Sequence, residues 1–390
     1  MKILVNAVYA VLGGGVTYLE SFAKAVARLC SDDEFIFCVR ESQARKISGI
    51  APNIRVIPFN WEGKRSLIGR VWFDQVVLRR MIRREKVDAL FSTSNFGMWA
   101  CPCRQVLYVR NCLYFSEMYA RRFLKRQKWW PRGMYYASRW LICRSVKWAD
   151  VVMVPSQSML DELRKFVELP PQKALLNYPG SFFRENKKCV RVDGGFKPCP
   201  VTSEFKLLCV MVYMEGGHKN LTTLLRAAIF LREREIKFRL LITDDLNRND
   251  TRLACTWKDD VCLAGDSRLA DCVEFLGLRS SREIERLCAE TDILVYPSPI
   301  ESFGFPLLEA MSAGLPIVAA DSPINREICQ DAALYFSPFD AEAFAAQICR
   351  VMEDEETRLK LVLSAKERIV FFDFDAHVMK LREALAAVPQ

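Results

Sequence analysis

Short apolar runs alternate with helix-period patterns along the whole chain. In the first half the runs are KILVNAV, EFIFCVR, RVIPF, ALFSTS, QVLYVR and VVMVPS; in the second they are KLLCVMVYM, RLLITD, CVEFLG, ILVYPS and PIVAA. Several are apolar at consecutive rather than alternate positions, as strands covered on both faces of a parallel sheet must be. The amphipathic stretches between them supply the covering helices, so the pattern predicts doubly wound α/β domains. The segment VRVDGGFKPCPVTSEF, residues 190–205, has two glycines, two prolines and no periodicity, and reads as a linker. The expected organisation is an N-terminal Rossmann-like domain over 1–195 and a C-terminal one over 196–370. A last helix over 371–390 is expected to add to these and to pack back on the N-terminal domain.

A length of 390 residues agrees, since it exceeds what a single core usually organises. Net charge is +9, but the halves differ in sign: 34 Lys and Arg face 16 Asp and Glu in residues 1–200, against 22 and 31 in the rest. Such a split implies domains with different partners. The 15 cysteines are scattered through strand-like and helix-like runs with no CxxC, which favours reduced thiols in a cytosolic protein. Only His218 and His377 are available, so a zinc site or a histidine triad has little material. The opening MKILVNAVYAVLGGG is expected to be a buried first strand rather than a leader, because Asn6 interrupts the run and a glycine triplet follows. No apolar run approaches the length needed to span a bilayer.

The chemistry concentrates in YPSPIESFGFPLLEAMSAGLPIVAADSP, residues 296–323. Pro306 suits a first helical position, and Gly314 followed by Leu315-Pro316 suits a helix stop. Glu301 therefore lies in the loop above the sheet, and Glu309 about one turn into the helix. The N–H groups around Phe303, Gly304 and Phe305 open that helix, where they lack intrahelical partners and attract anions. Gly304 lets a ligand approach the backbone closely. A phosphate at the N–H groups and hydroxyls at the two carboxylates would describe a nucleotide-sugar. The plainer alternative is a glutamate complementing a helix end and a second one solvated in a loop.

This segment resembles the donor-binding motif of retaining family 4 glycosyltransferases, which have the GT-B fold of two Rossmann-like domains facing across a cleft. The match runs through Pro297-Ser298, Glu301, Phe303-Gly304, Pro306, Glu309-Ala310-Met311 and Gly314-Leu315-Pro316. CVEFLG, ending at Gly277, is similar to the strand before the base-binding loop, and ADVVMVPSQSMLDEL to the last unit of the acceptor domain. The resemblance implies that Glu309 holds the donor ribose, Glu301 the sugar hydroxyls, and the amides of 303–305 the sugar or diphosphate. MVYMEGGHKN resembles the "HKN" variant of the family, with Met214 where many relatives carry arginine. Lys219 is then the diphosphate cation, alone or helped by Arg110 or another first-domain cation, and His218 is either a ligand contact or a loop residue bonded to backbone. By the same resemblance the glycine-rich GGGVTYLE loop brings Gly14 and Gly15 to the donor. Arg110 and Asn111 stand where relatives often have histidine or aspartate; they orient donor or acceptor, or are structural. Asp244-Asp245 has the wrong spacing for a metal-binding Asp-x-Asp, and no catalytic metal or cofactor is expected.

Residues 118–148 hold nine arginines and lysines, no acid, and a dense set of tryptophans and tyrosines. An anionic membrane surface, nucleic acid, and a solvated face over core aromatics all fit that composition. The resulting expectation is a cytoplasmic, peripheral enzyme transferring sugar from a nucleotide-sugar to a glycan or lipid-linked acceptor, in cell-surface polysaccharide or lipopolysaccharide synthesis. An epimerase or phosphorylase on the same fold, and a non-catalytic nucleic-acid binder, are the alternatives.

Overall fold

The computed structural model describes residues 1–10, 14–59, 67–181, 204–212, 217–246 and 254–387. Most of the expected linker, and Met214, lie outside the described residues. The chain forms two compact units: Met1–Ser116, Lys128–Gly180 and Asp373–Gln390 make the first, and Glu117–Gln127 with Ser181–Phe372 the second.

The first unit holds a seven-stranded sheet in the order β3-β2-β1-β4-β5-β6-β7, with every pairing parallel. Its strands are β1 (Lys2–Asn6), β2 (Glu34–Arg40), β3 (Ile54–Phe59), β4 (Ala89–Ser92), β5 (Arg104–Tyr108), β6 (Val151–Val154) and β7 (Ala174–Leu176). The second unit holds six parallel strands in the order β10-β9-β8-β11-β12-β13. These are β8 (Phe205–Cys209), β9 (Phe238–Ile242), β10 (Val273–Phe275), β11 (Ile293–Tyr296), β12 (Ile317–Ala320) and β13 (Ala333–Phe336). All eleven apolar runs read from sequence are strands here. Sequence reading missed β7 and β13, short edge strands of three and four residues that are only partly buried.

Both sheets are doubly wound. Their order reverses between β1 and β4 in the first unit and between β8 and β11 in the second, which opens a crevice at the C-terminal ends of each pair. The first core is aromatic: Phe22 meets Phe35, Phe37 and Phe91 within 6.2 Å between ring centroids. The helix Phe374–Ala386 joins this core from the far end of the chain. His377 Nε2 shares a 2.9 Å hydrogen bond with the Tyr18 hydroxyl, and Asn177 Nδ2 donates to the His377 carbonyl at 3.0 Å. Burial holds the His377 imidazole neutral, with its pKa lowered to about 3.

Gly180 marks how tightly that helix start is packed, since a Cβ there would sit 2.2 Å from the Phe374 nitrogen. A main-chain atom cannot swing aside as a flexible side chain would. Gly180→Ala is therefore expected to lower the unfolding free energy by about 1–3 kcal/mol, read by urea denaturation. An unchanged midpoint would show that the helix is not seated there.

Candidate functional site

In the second unit the loops after β8 and β11 leave adjacent strands at the reversal point. The first carries His218 and Lys219, and the second carries Glu301. Gly217 turns the first loop at φ +65°, and Asn220, at φ +59°, starts the helix Leu221–Glu233. Asn220 Nδ2 donates to the Pro297 carbonyl at 3.1 Å, tying the two loops together. Lys219 Nζ reaches Glu301 Oε1 at 2.5 Å, and both side chains are largely buried. Burial alone would raise the Glu301 pKa. The Lys219 charge and hydrogen bond, helped by His218 and Ser298, hold it below the ordinary value instead. The neighbouring Tyr296 phenol is pushed well up, first by burial and then by the Glu301 carboxylate.

The chain then turns through Gly304 at φ +87° into the helix Phe305–Ala313. A side chain there would be strained by its backbone and 3.1 Å from Leu307 Cδ1, so glycine is required. Phe303 is buried against Phe305 and Phe372, with centroids 5.2 and 5.8 Å away, so only its main chain is available to a ligand. The N–H groups of Phe303 and Gly304 donate to nothing among the described residues. They lie at a helix end carrying roughly half a positive charge. Gly314, at φ +68°, closes the far end, where its N–H and that of Leu315 bond the Met311 and Ala310 carbonyls at 3.1 and 2.9 Å.

Glu309 points from the first turns of this helix and is only 5% exposed. No hydrogen bond or ion pair reaches its carboxylate among the described residues, and burial raises its pKa to about 7. A buried acid without donors awaits a partner that supplies them. His218 is also buried, with Nδ1 unbonded, and burial lowers its pKa to about 3. Its ring meets the edge of Tyr119, which belongs to the second unit through Glu117–Gln127. Gly277, at φ +74°, follows β10, donates to the Asp244 carbonyl at 3.1 Å, and has open space where a side chain would be. Asp244 Oδ1 accepts the Asp245 N–H at 2.6 Å.

The remaining candidates lie in the first unit. Gly14 begins the helix Gly14–Leu29, and a Cβ on Gly15 would meet Arg110 Nη2 at 2.7 Å. The Arg110 guanidinium thus lies on the first turn of that helix, with no hydrogen bond or ion pair among the described residues. Burial lowers its pKa, opposed by Tyr108 and Tyr18. A cation and a helix N-terminus side by side repel each other and both favour an anion. Asn95, at φ +66°, sets up this turn: its Oδ1 accepts the N–H groups of Arg110 and Asn111 at 2.7 and 3.1 Å. Asn111 Oδ1 in turn accepts Leu113 N–H at 3.1 Å, so its side chain caps a turn. Sequence reading missed Asn95, Asn220 and Tyr296, for which the strand ends were the available signal, and it took Tyr119, on the helix Glu117–Arg122, only as part of the basic aromatic segment.

The basic aromatic segment is divided between the two units. Arg121 pairs with Glu117 at 2.9 Å, Arg126 with Asp259 at 3.2 Å, and Arg122 stacks 3.6 Å over Phe339, all within the second unit. The exposed aromatics instead lie on the first-unit helix Trp129–Trp148.

Burial of Glu309 has a pH signature. Its folded pKa lies above the ordinary value, so the folded state binds more protons, and this group's contribution to stability is lost as pH rises from about 4.5 to about 7. Glu309→Gln is expected to flatten that slope and to raise the melting temperature at neutral pH, read by thermal unfolding across the window. An identical pH profile would contradict the burial.

Two family models match the chain: "Glycosyl transferases group 1" over residues 204–368 and "Glycosyltransferase Family 4" over 12–180. O-antigen chain mannosyltransferase B of Escherichia coli is 35% identical over 104 residues, 26% of this chain and 27% of its own. The amylovoran biosynthesis glycosyltransferase AmsK of Erwinia amylovora is 32% identical over 121 residues, 29% of this chain and 30% of its own. The chain thus spans under a third of the length of these relatives. Among solved structures, Anabaena HepE in complex with UDP and glucose superposes with a TM-score of 0.71 at 16% identity, covering 100% of both chains. WaaG, a glycosyltransferase involved in lipopolysaccharide biosynthesis, gives 0.68 at 16% identity over 100% of both. These likenesses establish the GT-B type of fold, and with two models matching either side of the linker, the chain belongs to the group 1, family 4 glycosyltransferases.

Proposed function

We propose that the protein transfers a sugar, with retention of configuration, from a nucleotide-sugar to a glycan or lipid-linked acceptor in the synthesis of a cell-surface polysaccharide or lipopolysaccharide. The observation that carries this reading is the second-unit crevice. Two open N–H groups, a lysine and two buried carboxylates lie at or beside one strand-order reversal. Glu309, short of donors, suits the ribose hydroxyls. Glu301 suits the sugar hydroxyls. The Lys219 ammonium has three donors and gives one to Glu301, which leaves two for a diphosphate.

The reaction is a front-face substitution. The acceptor oxygen bonds to the anomeric carbon on the side the diphosphate leaves, and the electrons of the broken C–O bond stay on the diphosphate. That group takes the acceptor proton, while Lys219 and the helix N–H groups stabilise its growing charge. Glu301, tied to Lys219, positions the sugar and is not the nucleophile. Epimerase or phosphorylase chemistry gains no support, since burial lowers the pKa of both histidines to about 3.

A thermal-shift panel of UDP-, GDP-, ADP- and dTDP-sugars tests the donor. Ligand at about 100 times its Kd adds about 2.7 kcal/mol, a visible shift. Lys219→Ala is expected to cut kcat by roughly 10²–10³. Glu301→Gln should spare binding of the free nucleotide and impair transfer; full turnover would reject its role.

We also place the enzyme at the inner face of the plasma membrane, through the helix Trp129–Trp148. No helix among the described residues is long and apolar enough to cross a membrane. The outer face of this one carries Trp129 (78% exposed), Trp140 (61%), Tyr136, Arg132, Arg144 and Lys147, and no acid. Rings and cations so mixed suit an anionic headgroup layer, at roughly 1 kcal/mol per cation. Trp129→Ser with Trp140→Ser is expected to weaken sedimentation with phosphatidylglycerol vesicles by at least about tenfold, from the apolar area withdrawn. Unchanged sedimentation would remove the membrane reading.

A further inference from the structure

An apolar groove of about 160 Å³ opens in the first unit beside that same helix. Val71, Phe96, Trp99, Leu141 and Trp148 form its walls. They come from three places: the helical run Leu67–Glu85, which passes through a π turn at Phe73–Val77, the loop after β4, and Trp129–Trp148.

Its polar lining is already satisfied. Gln75 Nε2 donates to the Gly97 carbonyl at 3.3 Å and its Oε1 accepts the Trp99 N–H at 3.1 Å. Asp74 is 3% exposed and faces Asn6 Nδ2 at 3.0 Å and the Arg70 guanidinium at 3.8 Å. A sugar entering here would lose water and gain little, whereas a hydrocarbon would lose nothing.

The rim is apolar, basic and built in advance. Arg79 clamps the Trp99 loop, donating to the Ala100 carbonyl at 2.7 Å and also to that of Trp99, so the loop is fixed while its ring stays 63% exposed. Ile68 and Trp72 share a helical stripe with Val71 and are exposed as well. Arg144 and Lys147 stand on the exposed side of the other wall, and no acid occurs between Lys128 and Trp148. An apolar slot whose exposed rim carries Arg79, Arg144 and Lys147, and whose lining acid Asp74 is buried against Arg70, complements a molecule with a greasy tail and an anionic head.

We propose that this groove holds a hydrocarbon chain of the anionic lipid carrying the acceptor glycan. The inference rests on the reading of the protein as a peripheral enzyme with a lipid-linked acceptor, and adds the place where the lipid itself is gripped.

The test uses the full chain with Trp129, Trp130 and Trp140 replaced by Phe, so that the outer helix face no longer emits. Brominated dodecyl maltoside, below its micelle concentration, is the probe. Saturable quenching of the remaining tryptophans is expected, competed by unbrominated dodecyl maltoside and not by maltose. Val71→Gln with Leu141→Gln should raise the half-quenching concentration at least about tenfold, or about 1.4 kcal/mol. Trp99→Ser, which removes an exposed wall residue, should weaken it in the same direction if the double variant does not fold. Quenching that never saturates, is competed by maltose, or is unchanged in these variants overturns the groove. The nucleotide-sugar thermal shift, measured on the same samples, reads the enzyme independently. Its loss would count against the donor site, and its persistence with unsaturable quenching would bring down the groove alone.

Discussion

When neighbouring parallel strands are wound in opposite directions, their exiting loops must diverge, and the gap between them cannot be filled by a connecting helix. In the second unit that gap lies between β8 and β11, and its charged chemistry is arranged around it. A buried lysine and a buried glutamate would each be costly alone. Together, at 2.5 Å, they persist beside a core made of apolar side chains. The pair is then a ready source of both a donor and an acceptor in a place that excludes bulk water, where each counts for more than it would in solution.

Glu309 adds a different kind of constraint. Among the described residues it has no counter-charge, so its protonation is left to burial and to whatever binds. A ligand that donates hydrogen bonds lowers its pKa, and one that offers none leaves it raised. The helix start at Gly304 discriminates in the opposite sense, favouring negative charge. A molecule with hydroxyls at one place and phosphate at another satisfies both, and few simpler ligands do.

Much of this was legible in the sequence. Most of the eleven strands declare themselves by consecutive apolar residues, because both of their faces are covered; β3 and β10, at sheet edges, still show an apolar run although Arg55, Pro58 and Glu274 are exposed. Glu301, Gly304, Pro306 and Gly314 declare the turn and helix through backbone preferences that are local. What was not legible was adjacency. Lys219 and Glu301 are 82 positions apart and become partners only through the β8–β11 pairing. The edge strands β7 and β13 were missed because half-covered, three- and four-residue segments give no run to detect. Charge and aromaticity in 118–148 form a single block in sequence, whereas the fold sends Glu117–Gln127 to one unit and Lys128–Trp148 to the other. Composition cannot show such a division.

That division has a bearing on how the molecule can be rebuilt. The backbone passes from one unit to the other after Ser116, Gln127, Gly180 and Phe372, so neither is a continuous piece of gene. Exchanging either unit for a relative's therefore requires four splice points rather than one. A chimaera joined only at the linker would inherit a foreign Phe374–Ala386 helix against the resident Tyr18, and a resident Tyr119 against a foreign His218. Modular exchange, easy to draw between two Rossmann-like halves, is here restrained by two short stretches of chain that each belong with the other half's sequence.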